Sequence, residues 1–220
     1  IVRLNEEARA LFTALDKSGE GGEMLLFLLL ENLLGIPQVL CKMSLKTNPQ
    51  MHVHGTDGIH ARALPDGGLA LYWCESKLYQ SVDQGIDACF TSIAPFLLDD
   101  GGGESSRDIL LVRDNIDTGD AELDERLIRY FVSDTLEATM LEVRGASLIG
   151  FDLDDYPTPF EENGVDVASD VEALISDWNS RIGANVSKLK LQAFEMEVFC
   201  IPFPAVAEFR EAMRHELGIA

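Results

Sequence analysis

Apolar residues recur along this chain at two spacings, one typical of helices and one typical of strands. The helical spacing is strongest in residues 23–34, a run that is apolar on nearly all sides and that Gly35 is expected to end. Strand-like runs alternate with the helices, so the pattern predicts an α/β domain around one mixed sheet. Helices are predicted at residues 5–16, 23–34, 81–97, 121–136, 165–182 and 205–217, and strands at residues 39–45, 57–64, 69–78, 109–112, 140–151 and 189–201.

The sequence Pro65-Asp66-Gly67-Gly68 separates two predicted strands and is a strong signal for a hairpin turn. If Asp66 and Gly67 form a two-residue turn, Asp57 pairs with Ser76. A three-residue loop or a bulge shifts the pairing by one residue, and the second glycine favours such a shift. Two registers are therefore open, and only the shifted one aligns Asp57 with Glu75 and Lys77.

The size and composition fit one globular domain. A chain of 220 residues with 46% hydrophobic content is long enough to bury a sizeable core. We expect a single domain over residues 1–220, with a core of about 20–115 that carries the chemistry. The acidic half, residues 116–220, is expected to complete the fold, dock a partner, or both. Because the chain starts at Ile1 and not at methionine, we expect that the natural N-terminus is missing or was processed.

Two features bear on the cellular location. The longest apolar run, Met24–Leu30, is much shorter than the roughly 20 residues that a bilayer span requires, so no membrane is expected. The four cysteines show no CxxC spacing and lie in apolar stretches. This pattern favours reduced core cysteines in a cytoplasmic protein over a zinc site.

The charge is strongly negative and uneven. The net charge is −21, and residues 1–98 hold 7 basic and 11 acidic residues, whereas residues 99–220 hold 10 basic and 27 acidic ones. Because affinity for phosphate normally comes from lysine and arginine, this composition argues against simple nonspecific binding of DNA. The acidic half is either a solubilising surface or a face that meets a basic partner and holds nucleic acid off.

Glu75 and Lys77 form the first candidate for chemistry. They lie two residues apart on a predicted strand, so their side chains share a face. The residues before them, 69–74, are almost wholly apolar, which places the pair in a buried strand. Charged residues are rarely buried unless they are paired or bound to a ligand. An isolated Glu-x-Lys pair is usually a simple ion pair, so its meaning depends on what lies nearby.

Asp57 supplies a second carboxylate, at the mouth of the same hairpin. Residues that pair across a hairpin lie about 5 Å apart, so Asp57 and Glu75 are candidates to share a Mg²⁺ or Mn²⁺ ion. Such an ion polarises a phosphodiester and activates water, and Lys77 is placed to orient or deprotonate that water. Glu23, at the start of the apolar helix, is a further candidate ligand. The two glycines before Glu23 would permit close approach of the backbone.

Several polar residues near these positions are candidates for substrate contact. Three of the four histidines flank Asp57, but no third ligand at a fixed spacing supports a zinc site. Gln84 begins the next predicted helix, where Ser81 and Gln84 together resemble a capping box. Ordinary polar or capping roles also explain these residues. The candidates are His54, His60, Gln84, Lys42 and Lys46.

Four blocks of sequence carry a resemblance to a known family. The segments GGEMLLFLLLENLLGIP, KMSLKTN, VHGTDGIH and LYWCESKLYQSVDQGI, all within residues 21–86, resemble the nuclease subunits of Hachiman anti-phage defence systems. The order of elements also resembles the PD-(D/E)xK nuclease superfamily, which has the restriction-endonuclease-like fold. One position departs from that superfamily pattern, because Thr56 stands where a proline would precede Asp57.

The resemblance implies a function and a partner. It implies a Mg²⁺-dependent deoxyribonuclease with Asp57, Glu75 and Lys77 as the catalytic set and Glu23 as a helical acid. It further implies that a helicase subunit senses abnormal DNA and restrains the nuclease. Two alternatives stay open at this stage: a catalytically silent nuclease fold used as a docking module, and an RNA-directed nuclease of the same fold.

Overall fold

A single five-stranded sheet organises the chain in the computed structural model. The structure describes residues 19–41, 55–99, 112–113, 116–132, 141–153 and 164–218, with residues 164–170 as backbone only. The strands are β1 (Gln38–Cys41), β2 (Gly58–Ala63), β3 (Leu69–Tyr79), β4 (Leu141–Asp152) and β5 (Met196–Phe203). The five helices of the described ranges are α1 (Glu20–Asn32), α2 (Val82–Leu98), α3 (Ala121–Val132), α4 (Gly164–Lys188) and α5 (Val206–Leu217).

The sheet is mixed, and its strands follow one another in chain order from β1 to β5. β2 pairs with β1 and β3 in antiparallel fashion, whereas β4 pairs with β3 and β5 in parallel fashion. β3 is the central strand, and it is buried along nearly its whole length. This arrangement confirms the predicted α/β class, because parallel strands need helical crossovers and bury both faces of the sheet.

Each face of the sheet has its own hydrophobic core. Leu71 and Trp73 of β3 point to one face, where they pack in a cluster with residues of α2, α3 and α4. The alternate residues Tyr72 and Cys74 point to the other face, where α1 and α5 cover them. Since successive side chains of a strand point to opposite faces, this alternation assigns Glu75 and Lys77 to the α2 side and Ser76 to the α1 side.

The β2–β3 hairpin adopts the shifted register. Ala63 pairs with Leu69 and Gly58 pairs with Cys74, so one further step places Asp57 level with Glu75. The shift arises because the loop has three residues, Pro65–Gly67, and is closed by a bond from the Leu64 N–H to the Gly68 carbonyl. Gly67 has a φ of +91°, a conformation that favours glycine.

Most predicted elements are present, with shifted ends. α1 begins three residues earlier than predicted, and Gly35 has the positive φ of +63° expected of a terminating glycine. The prediction of a strand at residues 189–201 was wrong in its first half, because β5 begins only at Met196. Val112 is helical and not in a strand, while the rest of the predicted strand 109–112 lies outside the described residues, as does the predicted helix 5–16.

The predicted capping box at the start of α2 is also corrected. The helix does begin after Ser81, but the Ser81 side chain makes no capping hydrogen bond. Gln84 is exposed, and without the Ser81 bond the reciprocal pair of a capping box is not formed. No helix within the described ranges combines the length and apolarity needed to cross a bilayer.

Gly85 allows α2 to approach the sheet closely. A methyl group at this position would lie 2.8 Å from the Ile149 Cγ2 atom of β4. Ile149 is fully buried and β-branched, so its side chain has little freedom to move away. The close approach of the first turn of α2 to the sheet therefore depends on glycine at position 85.

We expect Gly85→Ala to destabilise the protein by about 1–2 kcal/mol, because overpacking outweighs the gain in helix propensity. Gly183→Ala in α4 is a matched control, since a methyl group there meets no atom within 4 Å among the described residues. It should instead stabilise the protein by roughly 0.5–1 kcal/mol. Urea unfolding measures both effects, and equal shifts for the two variants would contradict the packing argument.

Candidate active site

Asp57 lies immediately before β2, in a bend of the chain. Its backbone N–H donates to the Cys74 carbonyl at 3.0 Å, which ties the bend to β3. Its carboxylate accepts two bonds on the same oxygen, Oδ2: one from the Ser76 N–H at 2.8 Å and one from the Ser76 hydroxyl at 3.0 Å. Of the two registers that the sequence left open, the strand pairing shows the shifted one, which the second glycine favoured. Because Asp57 is outside the strand, however, its carboxylate contacts Ser76, the residue between Glu75 and Lys77.

Thr56 anchors the bend that carries Asp57. It is 4% exposed, and its hydroxyl donates to the Cys74 carbonyl at 2.6 Å and accepts from the Cys74 N–H at 3.0 Å. The side chain therefore takes the place of a backbone partner at the end of the β2–β3 ladder. Threonine at the position where the resemblance leads one to expect proline has a clear structural role here, which the sequence did not reveal.

Glu75 and Lys77 form a salt bridge on the α2 side of the sheet. Glu75 is almost completely buried, whereas about a quarter of the Lys77 side chain is exposed. The carbonyl of Glu75 accepts a bond from the Cys89 thiol of α2 at 3.4 Å. Burial raises the pKa of Cys89 to about 12, so the thiol keeps its proton and remains a donor. The central strand thus presents a buried carboxylate with one ammonium group beside it.

Electrostatics link all three residues. Burial by itself lowers the pKa of Lys77, but the charge and hydrogen bond of Glu75 together with the charge of Asp57 outweigh it, and the net shift is upward. Lys77 is therefore protonated at neutral pH in this arrangement. It is a cation beside Glu75 that is suited to offset negative charge, and its predicted role of orienting or deprotonating water stays a prediction.

Glu23 lies on the other side of Asp57. It lines a small cavity between α1 and the sheet together with Phe27, Asp57 and His60. Within the residues that the structure describes, no three or more histidine, cysteine or acidic side chains are grouped to hold a metal ion. The structure therefore does not assemble Glu23, Asp57 and Glu75 into the predicted set of three ligands.

His60 is placed as a structural residue. It is 1% exposed, and its Nδ1 lies 2.7 Å from the Ile36 carbonyl, so Nδ1 must carry the proton. Burial lowers the pKa of His60 despite the opposing effect of this bond, which keeps the ring neutral. This burial favours a role in packing over the predicted contact with substrate. Gln84 is exposed and stays a candidate, whereas the candidates His54, Lys42 and Lys46 lie outside the described residues.

Asp57 and Glu75 fit a hard divalent cation. Both offer carboxylate oxygens, and Mg²⁺ is usually held by one or two carboxylates with water completing its shell. The Asp57 carboxylate is bound to Ser76, and Glu75 with its partner Lys77 flanks Ser76 in the chain, so each carboxylate is a candidate to bind such an ion. Soft ligands are unsuited here, because burial keeps the thiols of Cys74 and Cys89 protonated.

Fold and site together define a class of protein: a mixed α/β domain, consistent with the restriction-endonuclease-like fold, with two acidic residues and a lysine at its central strands. The model of the HamA family matches residues 1–217, and the chain belongs to this family. HamA is a component of the Hachiman anti-phage defence system, as the sequence blocks predicted. No curated protein and no solved structure matched the chain.

Removing the Thr56 hydroxyl should loosen the bend. We expect Thr56→Val, which keeps the shape of the side chain, to destabilise the protein by about 1–3 kcal/mol, because it removes the acceptor of the buried Cys74 N–H. Thr56→Ser keeps the hydroxyl and should cost less. Chemical denaturation of the two variants measures the difference, and a valine variant as stable as the serine variant would rule out the anchoring role.

The Glu75–Lys77 pair gives a second test of stability. Lys77→Met should cost about 1–3 kcal/mol, because it leaves a buried carboxylate without its cation. Adding Glu75→Gln to that variant should recover part of the loss, since the unpaired charge is then removed. Lys188→Met is the control, because its bond to Asp87 joins two exposed side chains and contributes little. Purely additive costs for Glu75→Gln and Lys77→Met would show that the two residues are not coupled.

Proposed function

We propose that this protein is a Mg²⁺-dependent DNA nuclease, that it is the effector of its defence complex, and that a helicase subunit controls it. The observation that carries the proposal is the hairpin register that sets Asp57 level with Glu75. Glu75 and Lys77 form a salt bridge on the central strand, and the Asp57 carboxylate binds Ser76, which lies between them in the chain. Membership of the HamA family supports the setting in defence. DNA is the proposed substrate, since the family opposes phage.

In this proposal, the carboxylates bind the metal and the lysine stabilises negative charge. Asp57 and Glu75 would hold one or two Mg²⁺ or Mn²⁺ ions, and a bound ion would supply Lewis-acid activation of the phosphodiester and of water. Lys77 carries a positive charge at neutral pH, so it would offset negative charge that develops on the phosphoryl oxygens. Burial of Glu75 excludes water from one side of the site and strengthens these interactions.

The charge of the chain supports dependence on a partner. A net charge of −21 repels the phosphate backbone. Two basic side chains of α4 are also engaged within the protein: Arg181 pairs with Asp83 of α2, and Lys188 pairs with Asp87 of α2. These pairs partly neutralise charges that could otherwise attract phosphate. A helicase subunit that grips DNA would bring the substrate to the site and would make cleavage conditional on its own state.

Cleavage assays test the proposal. Purified protein, alone and with the helicase subunit, is incubated with plasmid and with linear DNA in Mg²⁺ or Mn²⁺. Asp57→Asn and Glu75→Gln should each lower the cleavage rate by at least about 100-fold. Glu122→Gln, which alters an exposed carboxylate on α3, should leave the rate unchanged.

The assay also separates the rival functions. Cleavage that survives the combined change of Glu75→Ala and Lys77→Ala would show that the site is misassigned. Cleavage of RNA but not DNA by the same carboxylates would indicate an RNA-directed nuclease. A docking module would show neither cleavage nor carboxylate-dependent binding of Mg²⁺ in a titration.

A further inference from the structure

Ser76 occupies the middle of the Glu75-Ser76-Lys77 sequence but faces away from its neighbours. Its side chain points to the α1 side of the sheet and is 5% exposed. Both its N–H and its hydroxyl donate to the Asp57 Oδ2 atom, at 2.8 and 3.0 Å. A buried hydroxyl that donates to a carboxylate fixes the orientation of that carboxylate more tightly than the backbone bond does alone.

Helix α1 closes the space around this hydroxyl. At Gly22, a methyl group would lie 3.2 Å from the Ser76 Oγ atom and 3.3 Å from its Cβ atom. The backbone of α1 therefore packs closely on Ser76, and a larger residue at Gly22 would have to push Ser76 or Leu78 aside. The hydroxyl lies between α1 on one side and Asp57 on the other, which restricts its position.

We propose that Ser76 is a positioning residue that holds the Asp57 carboxylate in the orientation that binding of a divalent cation requires. The inference rests on the proposed function, because it assigns a role at that same site. Ser76 does not touch the cation in this scheme. It acts through Asp57, while Glu75 and Lys77, on either side of it in the chain, face the opposite side of the sheet.

Binding of Mn²⁺ to the full chain, measured by titration calorimetry, tests the role of the hydroxyl. Ser76→Ala should weaken Mn²⁺ binding about 10-fold, the size expected when one hydrogen bond to a charged group is lost. Ser76→Cys, which has nearly the same volume but a weaker donor, should fall between the parent and Ser76→Ala. Asp57→Asn should weaken binding more than either variant.

Ser147→Ala is the matched control for this change. Ser147 is fully buried on the neighbouring strand, level with Glu75, and among the described residues its hydroxyl bonds to no carboxylate. It should bind Mn²⁺ within about twofold of the parent. Equal affinities of Ser76→Ala and Ser147→Ala would overturn the inference. If Ser76→Ala does not fold, as judged by thermal unfolding, the comparison of Ser76→Cys with the parent decides the question.

A second pair of variants perturbs the same contact from α1. Gly22→Ala should press on Ser76 and Leu78 and weaken Mn²⁺ binding. Gly21→Ala should not, because its nearest neighbours, Phe209 and Met213, lie at ordinary distances. A parent protein that shows no Mn²⁺ binding would overturn the proposed function itself. A parent that binds Mn²⁺, with Ser76→Ala and Gly22→Ala unchanged, would overturn only the role of Ser76.

Discussion

The pairing of β2 with β3 is the constraint on which the rest of the site depends. Because side chains alternate along a strand, a slip of one residue would exchange the two faces of β2 relative to β3. The three-residue loop closed by Leu64 and Gly68 prevents that slip. It brings Asp57 level with Glu75, and it keeps Ile59 and Ala61 in the core beneath α2. A loop far from the chemistry therefore decides which residues meet at the site.

Next to this hairpin, the site is held together by buried or half-buried polar groups that bond to one another. Thr56 satisfies the backbone of Cys74, Ser76 satisfies Asp57, and Lys77 compensates Glu75. Each of these groups would be costly to bury alone. Their arrangement explains how charged residues persist in a strand whose other members are apolar, and why the carboxylates are fixed before any ligand arrives.

Sequence reasoning found the elements more reliably than their connections. Local patterns located α1, the hairpin and the candidate carboxylates, because periodicity and turn residues are local properties. The strand predicted from residue 189 failed because Leu189, Leu191 and Phe194 are apolar for a different reason: they pack into the core from the turns that follow α4.

The roles of Thr56 and Ser76 were out of reach for the same reason. They depend on bonds to residues 18 and 19 positions away, which no local pattern encodes. For Asp57, the sequence pattern predicted the position along the strand pairing but not the direction of the side chain. Its place in the register followed from the hairpin, but the direction of its carboxylate followed from the bend that Thr56 stabilises.

The salt bridge between Glu75 and Lys77 also affects how tightly a cation could bind. Without a ligand, the ammonium group of Lys77 already occupies the neighbourhood of the Glu75 carboxylate and acts as its counter-ion. Any divalent cation that binds Glu75 would compete with this internal cation, which raises the apparent dissociation constant of the ion. Once displaced, the ammonium group becomes available to an anion. If this strand binds a metal as proposed, binding of the metal and binding of a phosphate would therefore be thermodynamically linked, each favouring the other.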